Sequence, residues 1–431
     1  MIRNNTIIRI HYSMKNSRGE VLENRTITYR HGSSSISPIL QSQLLGLEPG
    51  DQKQLTLRKG EEDADDDFTF DITVKAIREA TPIQLHLLSG FLGSGKTTAI
   101  REAVNYLAKK NIPVAVITND QGSPLVDGEL FTHLGIPSGQ VTGGCFCCSY
   151  SDLDRTIRRL TAQNSPAVIF AESVGSCTDL IATVVKPLLQ HHPECRPTAT
   201  TFADAHLLND ETTVFDETVN YIYNKQLEEA QVIVVSKIDQ IKDATRLKTA
   251  LHTCYPDKTI LYQNSFDETH IARWLDTLDT TTFTQDLPSL DIDYDIYGAG
   301  EAKLAWLDRQ LEIESPAQQA QLAALALCTM IAQTPHPIGH LKFLVDGHTK
   351  ISYTATSTQA PDIPATEFPT PQAATTATLL INARIQTDPH ILSQHVATAI
   401  SAIETQYGVT IRTLTESCFQ PGYPRPTHRL I

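Results

Sequence analysis

The chain has 431 residues, with 35 Lys and Arg against 49 Asp and Glu and a formal net charge of −14; that is enough length for two or three domains with ordinary cores. The acidity excludes a general nucleic-acid binder, which needs a basic surface to displace counterions. No run approaches the ~18 apolar residues of a membrane span, and no leader-like apolar stretch follows Met1, so no membrane insertion is expected and the cytoplasm is the expected compartment. The eight cysteines are too few and too unevenly placed for a disulfide scaffold and read as thiols available for metal or redox work.

Residues 1–80 alternate apolar and polar positions in the β manner, as in Ile7 to Tyr12 and Phe68 to Val74. Val21-Leu22-Glu23-Asn24, His31-Gly32 and Leu44-Leu45-Gly46-Leu47-Glu48-Pro49-Gly50-Asp51 resemble the FKBP-type prolyl isomerase fold, in its short SlyD-like branch. The resemblance implies a peptide pocket, with Tyr12 and Phe70 at aromatic positions. Asn24 stands where that family places a pocket Asp and the flap stretch is short, so docking is expected here and isomerase turnover is not. The acidic run Glu61 to Asp67 reads as a solvated loop.

Over 82–285 short apolar runs (Ile83 to Leu88, Pro113 to Thr118, Ala167 to Ala171, Thr200 to Ala203, Val232 to Val235 and Thr259 to Tyr262) alternate with helical stretches. That order predicts an α/β domain with a mainly parallel sheet, helices on both faces and ligand loops at the carboxyl ends of the strands. Gly90-Phe91-Leu92-Gly93-Ser94-Gly95-Lys96-Thr97-Thr98 follows the first run and fits G-x-x-x-x-G-K-[ST]. In that pattern Gly90, Gly93, Ser94, Gly95 and Thr98 form a backbone cradle for phosphates, Lys96 reaches the β- and γ-phosphates, and the Thr97 hydroxyl coordinates Mg²⁺. Glu172 at the end of a strand, with Gly175 three residues on, suits a carboxylate for magnesium or the attacking water beside a backbone that can approach the γ-phosphate. Asp120, in Asn119-Asp120-Gln121-Gly122, is a second magnesium candidate or a turn residue. Ser236-Lys237-Ile238-Asp239 resembles a guanine-reading motif, in which the Asp239 carboxylate accepts from both guanine donors and Lys237 packs along the base; Asn264 is placed to complete that pocket.

Gly143-Gly144-Cys145-Phe146-Cys147-Cys148 brings three sulfurs into one glycine-hinged loop. Thiolates suit Zn²⁺, and three ligands leave a fourth position open for exchange. Cys177, Cys195, Cys254, Cys328 and Cys418 are isolated in sequence and read as ordinary packing residues, and Pro337 and Gly339 spoil a helical pairing of His336 with His340.

Asp286 to Gly298 reads as a linker. A small α+β domain over 298–431 follows, with a helix opened by the Ser315-Pro316-Ala317-Gln318 capping box, a hairpin of His340 to Val345 and Thr349 to Tyr353, a surface loop from Thr354 to Thr376, a strand from Thr378 to Ile385, a helix after Asp388-Pro389 and a strand from Val409 to Leu414.

Taken in order, the phosphate loop, Asn119-Asp120-x-Gly122, Gly-Gly-Cys-x-Cys-Cys, Glu172-x-x-Gly175 and Ser236-Lys237-x-Asp239 resemble the CobW/HypB/UreG family of metal-handling GTPases, most closely its CobW-like branch. Asp120, where that branch has Glu, and Ser236, where GTPases have Asn, depart from the pattern. The resemblance implies GTP hydrolysis with Mg²⁺, catalysed through Lys96 and Glu172. It also implies delivery of Zn²⁺, Co²⁺ or Ni²⁺ to a client metalloprotein or cofactor-assembly protein. The alternative is a nucleotide-regulated folding helper in which the cysteines hold a structural zinc.

Overall fold

The computed structural model describes residues 1–3, 6–32, 36–79, 81–122, 126–209, 214–354 and 371–431. Strands β1 (Thr6–Lys15), β2 (Val21–Arg30), β3 (Gln52–Leu57) and β4 (Phe68–Glu79) form an antiparallel sheet in the order β2-β1-β4-β3. Alternation in β1 turns Ile8, Ile10 and Tyr12 onto Leu55, Ile72 and Val74, and the short helix Pro38–Leu44 closes that face with Leu40 and Leu44.

A second sheet holds β5 (Ile83–Gly90), β6 (Val114–Asn119), β7 (Ser138–Val141), β8 (Val168–Glu172), β9 (Cys195–Asp204), β10 (Val232–Ser236) and β11 (Thr259–Gln263). Its order is β11-β10-β9-β5-β8-β6-β7, and every pairing is parallel. Parallel strands are buried on both faces, which is why Val232 to Val235 are apolar without alternation. Phe170 packs with the helices Lys96–Lys109 and Glu268–Thr280 on one face; Ile169 and Ala171 pack with Tyr150–Asn164 and Glu217–Glu229 on the other. The chain changes direction across the sheet at β5, between β8 and β9, so the loops after β5, β6 and β8 open into one crevice. Edge strand β7 was not foreseen: Ser-Gly-Gln-Val carries a single apolar residue.

The third sheet is antiparallel, with β12 (Leu304–Glu314), β13 (Ile338–Val345), β14 (Thr349–Tyr353), β15 (Thr376–Gln386) and β16 (Thr410–Phe419) in the order β14-β13-β15-β12-β16. One face carries the helices Ala320–Ala332 and Pro389–Tyr407. The other turns Leu344 and Leu380 onto Val126 and Leu130 of the second unit.

Two local expectations change, and a third lies largely outside the described residues. The stretch expected as a linker is in part the helix Tyr294–Ala302, capped by the Asp293 carboxylate, which accepts from the Asp295 and Ile296 amides; it lies so close to Glu217–Glu229 that a Cβ on Gly300 would sit 2.4 Å from the Thr218 carbonyl oxygen. The Ser315 hydroxyl accepts from the Gln319 amide at 3.0 Å within a turn, and Gln318 has a φ of 60°, so the helix starts at Ala320 and not at the expected capping box. Most of the expected Thr354 to Thr376 loop, residues 355–370, lies outside the described residues.

Arg384 of β15 is one buried tie between the second and third units. Its guanidinium is fully buried, 2.7 Å from Asp120 and 2.9 Å from Asp308, and stacks 4.2 Å from the centre of the Trp306 ring. Replacing one partner of a buried pair strands the other charge. Arg384→Ala is therefore expected to cost about 3–5 kcal/mol, against a much smaller loss for Arg412→Ala in its exposed pair with Glu312. Urea unfolding followed by Trp306 fluorescence measures both, and equal losses would show that the buried pair is not such a tie.

Candidate functional site

The loop after β5 folds tightly because glycine occupies the positions with φ of 123° (Gly90), 76° (Gly93) and 85° (Gly95). At Gly90 a side chain is excluded twice over, since its Cβ would lie 2.1 Å from the Phe202 carbonyl oxygen. Gly95 ends the loop and Lys96 opens the following helix, so the helix N-terminus and its unpaired amides face the crevice. Lys96 turns its ammonium back onto the Gly90 and Phe91 carbonyls, at 2.6 and 3.1 Å. Burial lowers its pKa to about 8, with the Glu172 carboxylate pulling the other way. Ser94, Thr97 and Thr98 line the same pocket, as do Thr118 and Asn119 from the end of β6 and Glu172, Ser173 and Gly175 from the end of β8.

Thr97 Oγ1 lies 2.9 Å from Glu172 Oε1 and 3.2 Å from Asp127 Oδ2. Glu172 Oε2 is buried with no hydrogen-bond partner, as are the hydroxyls of Ser94 and Thr118. Buried polar atoms without partners are costly, and here they face the phosphate crevice. A hydroxyl beside an unspent carboxylate oxygen at a phosphate loop is the oxygen donor set that Mg²⁺ takes. Burial raises the Glu172 pKa, and the neighbouring Asp127 charge adds to that.

The sequence did not disclose the other wall. Lys342 of β13 and Lys350 of β14 each reach Asp127 at 2.5 Å, and all three side chains are largely buried. Burial alone would raise the Asp127 pKa, but the two ammonium groups outweigh it and hold the carboxylate well below its usual range. His340, also on β13, is buried with Nε2 unpartnered; burial and then Lys342 push its pKa well below the ordinary histidine value, leaving a neutral ring at the pocket wall. The cavity between these groups has a volume of about 70 Å³. Asp120, a second magnesium candidate or a turn residue, lines the same pocket and accepts at Oδ1 from Arg384 and from the Gly122 amide. In the sequence Lys342 is a charge between Leu341 and Phe343 in an apolar strand, a signal that could have marked this wall; nothing marked Asp127.

At the end of β10 the Ser236 hydroxyl donates to the Ser94 carbonyl at 2.8 Å and to that of Ala203 at 3.1 Å, bracing the phosphate loop from behind. Lys237 adopts a φ of 57° and pairs with Asp204 at 2.9 Å. Asp239 follows in a single helical turn with its side chain exposed, and the Asn264 side chain caps its own turn by accepting from the Phe266 amide. These base-pocket candidates stand beside the phosphate crevice and do not line it.

The cysteine loop lies on the far side of β6. Asn119 clamps it, donating to the Val141 and Gly144 carbonyls at 3.0 and 2.7 Å and accepting from the Phe146 amide at 2.9 Å. Cys145 Sγ is 2.7 Å from Cys147 Sγ, and Cys147 Sγ is 3.8 Å from both Cys148 Sγ and Cys177 Sγ. Cys177 therefore corrects its reading as an isolated packing residue: Cys145, Cys147 and Cys177 are all buried, with their sulfurs within 4.8 Å of one another. Thiol hydrogen bonds from Cys145 and Cys147 lower the Cys177 pKa to about 6, whereas Cys148 rises to about 11 through its bond with Cys145. Cys148 is half-buried, and its sulfur accepts from the Arg425 amide of the C-terminal tail at 3.2 Å. A second cluster, His192 with Glu194 and Cys195, spends both imidazole nitrogens on Glu194 and Asp154, at 2.9 and 2.7 Å, and reads as an ion-pair knot. His336 joins neither cluster, and His340 faces the phosphate pocket.

Residues 84–261 match the family model described as CobW/HypB/UreG, nucleotide-binding domain. A 160-residue stretch is 31% identical to the zinc chaperone YeiR of Escherichia coli (strain K12), covering 36% of this chain and 46% of that protein. A 176-residue stretch is 28% identical to the zinc chaperone YjiA of the same organism, covering 39% and 54%. The chain thus spans about half the length of the curated relatives it matches. The crystal structure of HypB from Helicobacter pylori in complex with nickel aligns with a TM-score of 0.36 at 16% identity, over 47% of this chain and 92% of that one. The similarity to a CobW/HypB/UreG nucleotide-binding domain thus spans residues 84–261.

The lowered Lys96 pKa gives a pH dependence with a defined sign. Above about 8 the free protein holds a growing fraction of neutral Lys96, whereas a bound phosphate favours the ammonium form. Affinity for a phosphate ligand is therefore expected to fall by up to about tenfold per pH unit above that value, with proton uptake on binding. Calorimetry at pH 7 to 9.5 in buffers of different ionisation enthalpy reads both, and flat affinity without proton uptake would show that Lys96 stays charged throughout.

Proposed function

We propose that this chain is a cytoplasmic GTP-binding and GTP-hydrolysing metallochaperone. It carries a transition metal, zinc or else cobalt or nickel, at the Cys145, Cys147, Cys148 loop and passes it to a client metalloprotein or cofactor-assembly protein. The observation that carries this reading is the pairing of Thr97 with Glu172, whose second oxygen is unspent, at a phosphate loop in the same domain as a buried thiol cluster. Zinc chaperones among the relatives support zinc as the first candidate. Among the described residues no helix is long and apolar enough to cross a membrane.

In this reading Lys96 exchanges the Gly90 and Phe91 carbonyls for the β- and γ-phosphates, while the amides of Gly93 to Thr98 cradle the rest. Thr97 and Glu172 hold Mg²⁺, which neutralises phosphate charge when bound. Asp120, engaged by Arg384, keeps the wall in place. Lys342, Lys350 and His340 close the crevice from the third unit, so charge developing on the phosphate oxygens meets preorganised donors in a water-poor site. Gly175 leaves room for its backbone to approach the γ-phosphate. Asp239 reads guanine N1–H and N2, with Lys237 along the base and Asn264 at its edge.

A second function is supported for the N-terminal sheet. Tyr12 and Phe70, with ring centres 6.2 Å apart, open into a cavity of about 1170 Å³ whose floor is Leu107, Ile112 and Leu275 of the second unit. Its size and apolar lining suit docking of a client segment, not catalysis, because no acidic residue stands at Asn24.

GTP is expected to outcompete ATP. Lys96→Ala is expected to lower hydrolysis at least ~100-fold, as removal of one transition-state donor does elsewhere, and Asp239→Asn to weaken GTP while favouring xanthosine triphosphate. Competition binding and a turnover assay with saturating Mg²⁺ decide it; equal ATP and GTP affinity in the wild type would overturn the guanine assignment.

A further inference from the structure

We propose that Cys177 is a ligand of the same metal ion as Cys145 and Cys147, and that it is the residue through which the nucleotide loop and the metal feel one another. The proposal deepens the metallochaperone reading and rests on it. It adds to the cysteine loop a ligand from a different segment, the one that begins at Glu172.

The distances favour ligation over packing. A tetrahedron with Zn–S bonds near 2.3 Å has edges of roughly 3.8 Å, and Cys147 Sγ stands 3.8 Å from both Cys177 Sγ and Cys148 Sγ. The Cys145–Cys147 edge is shorter, at 2.7 Å, and opens by rotation about the side chains. Binding releases thiol protons to solvent, since the thiolate is the ligand. Cys145, Cys147 and Cys177 supply a buried base of three sulfurs, and the half-buried Cys148 at the mouth is the fourth, exchangeable ligand.

The mechanical argument comes from the four residues between Glu172 and Cys177. Gly175 is pressed against the phosphate loop: a Cβ there would lie 2.9 Å from the Leu92 amide nitrogen and 2.5 Å from the Leu92 side chain. The buried Gln226 amide donates to the Gly175 carbonyl at 3.0 Å and to the Cys177 carbonyl at 2.9 Å, so one side chain holds both ends of the segment. Ser176, between them, donates to the buried Glu301 at 2.5 Å. The segment therefore moves as a unit, and a shift of Gly175 toward a γ-phosphate carries the Cys177 sulfur with it. The other sulfurs belong to a loop clamped independently by Asn119. A metal bridging the two loops favours one spacing between them, and so does the nucleotide. By linkage each changes the affinity of the other by the same factor.

The test is Co²⁺ titration of the full-length wild type and of Cys177→Ser, Cys177→Ala and Cys148→Ser, each with GDP and with a non-hydrolysable GTP analogue. The sulfur-to-cobalt charge-transfer band counts bound thiolates. Both Cys177 variants are expected to lose one thiolate's share of the band, to weaken Co²⁺ by at least tenfold and to abolish the difference between nucleotide states. Metal-free affinity for the GTP analogue should stay unchanged, which shows that the variants are folded. Cys148→Ser should lose intensity but keep the nucleotide difference. A wild-type band and affinity in Cys177→Ser overturns the ligand assignment, and a surviving nucleotide difference in that variant overturns the coupling. Absence of any thiolate band in the wild type overturns the metallochaperone reading itself.

Discussion

The cluster in which Asp127 holds Lys342 and Lys350 is the constraint on which the remaining geometry depends. It ties the third sheet to the phosphate crevice, 215 residues away in sequence for the first pair and 223 for the second. Burying three charges is expensive, and the cost is offset only while each is paired. With Lys96, Glu172 and Asp120 alongside, the crevice lining carries three ammonium groups against three carboxylates, of which Asp120 is spent on Arg384. Buried ammonium groups attract an anion strongly because little solvent screens them. The free protein satisfies this demand internally, through Asp127 and the loop carbonyls, and a phosphate ligand must take over the same donors.

That arrangement also fixes which elements can move together. The phosphate loop is gripped at Leu92 by two glycines from different units: a Cβ on Gly175 would approach it to 2.5 Å, and one on Gly339 to 2.6 Å. Any displacement of the loop is therefore felt both by the segment leading to Cys177 and by β13, which bears His340 and Lys342. Small residues here are not hinges; they remove the bulk that would hold three segments apart. Packed interiors transmit displacement because they have no slack.

Much of the site was legible in the sequence because its signals are local. The phosphate loop, the cysteine loop, Glu172 with Gly175 and the buried strands each lie within a few residues, where spacing dictates chemistry. What escaped was set by contacts distant in sequence. Asp127 sits in the first turn of a helix, where acidic residues are common for dipole reasons alone, and only the arrival of β13 and β14 gives it a role. Cys177 lies 30 residues from Cys147 in sequence and meets it because β6 and β8 are neighbours in the sheet. The helix Tyr294–Ala302 was masked by its glycines, which it needs in order to approach Glu217–Glu229. Asp120 and Ser236, the two departures from the family pattern, both took structural partners, Arg384 and the Ser94 carbonyl.

The C-terminal tail shows how the two chemistries differ in accessibility. It crosses the cysteine loop by backbone contacts, with the Arg425 amide on Cys148 Sγ, the Thr427 amide on the Cys147 carbonyl and the Leu430 amide on the Ala182 carbonyl. Its one ion pair, Arg429 with Asp179 at 2.7 Å, is partly exposed on the arginine side. These ties are weaker than the buried pairs around Asp127, since partly exposed pairs are screened and each neutral hydrogen bond contributes only about 1 kcal/mol net. The phosphate crevice is thus closed by buried charge from a folded sheet, whereas the thiols are covered by a segment of chain held by backbone hydrogen bonds and by Arg429 on the buried Asp179 carboxylate.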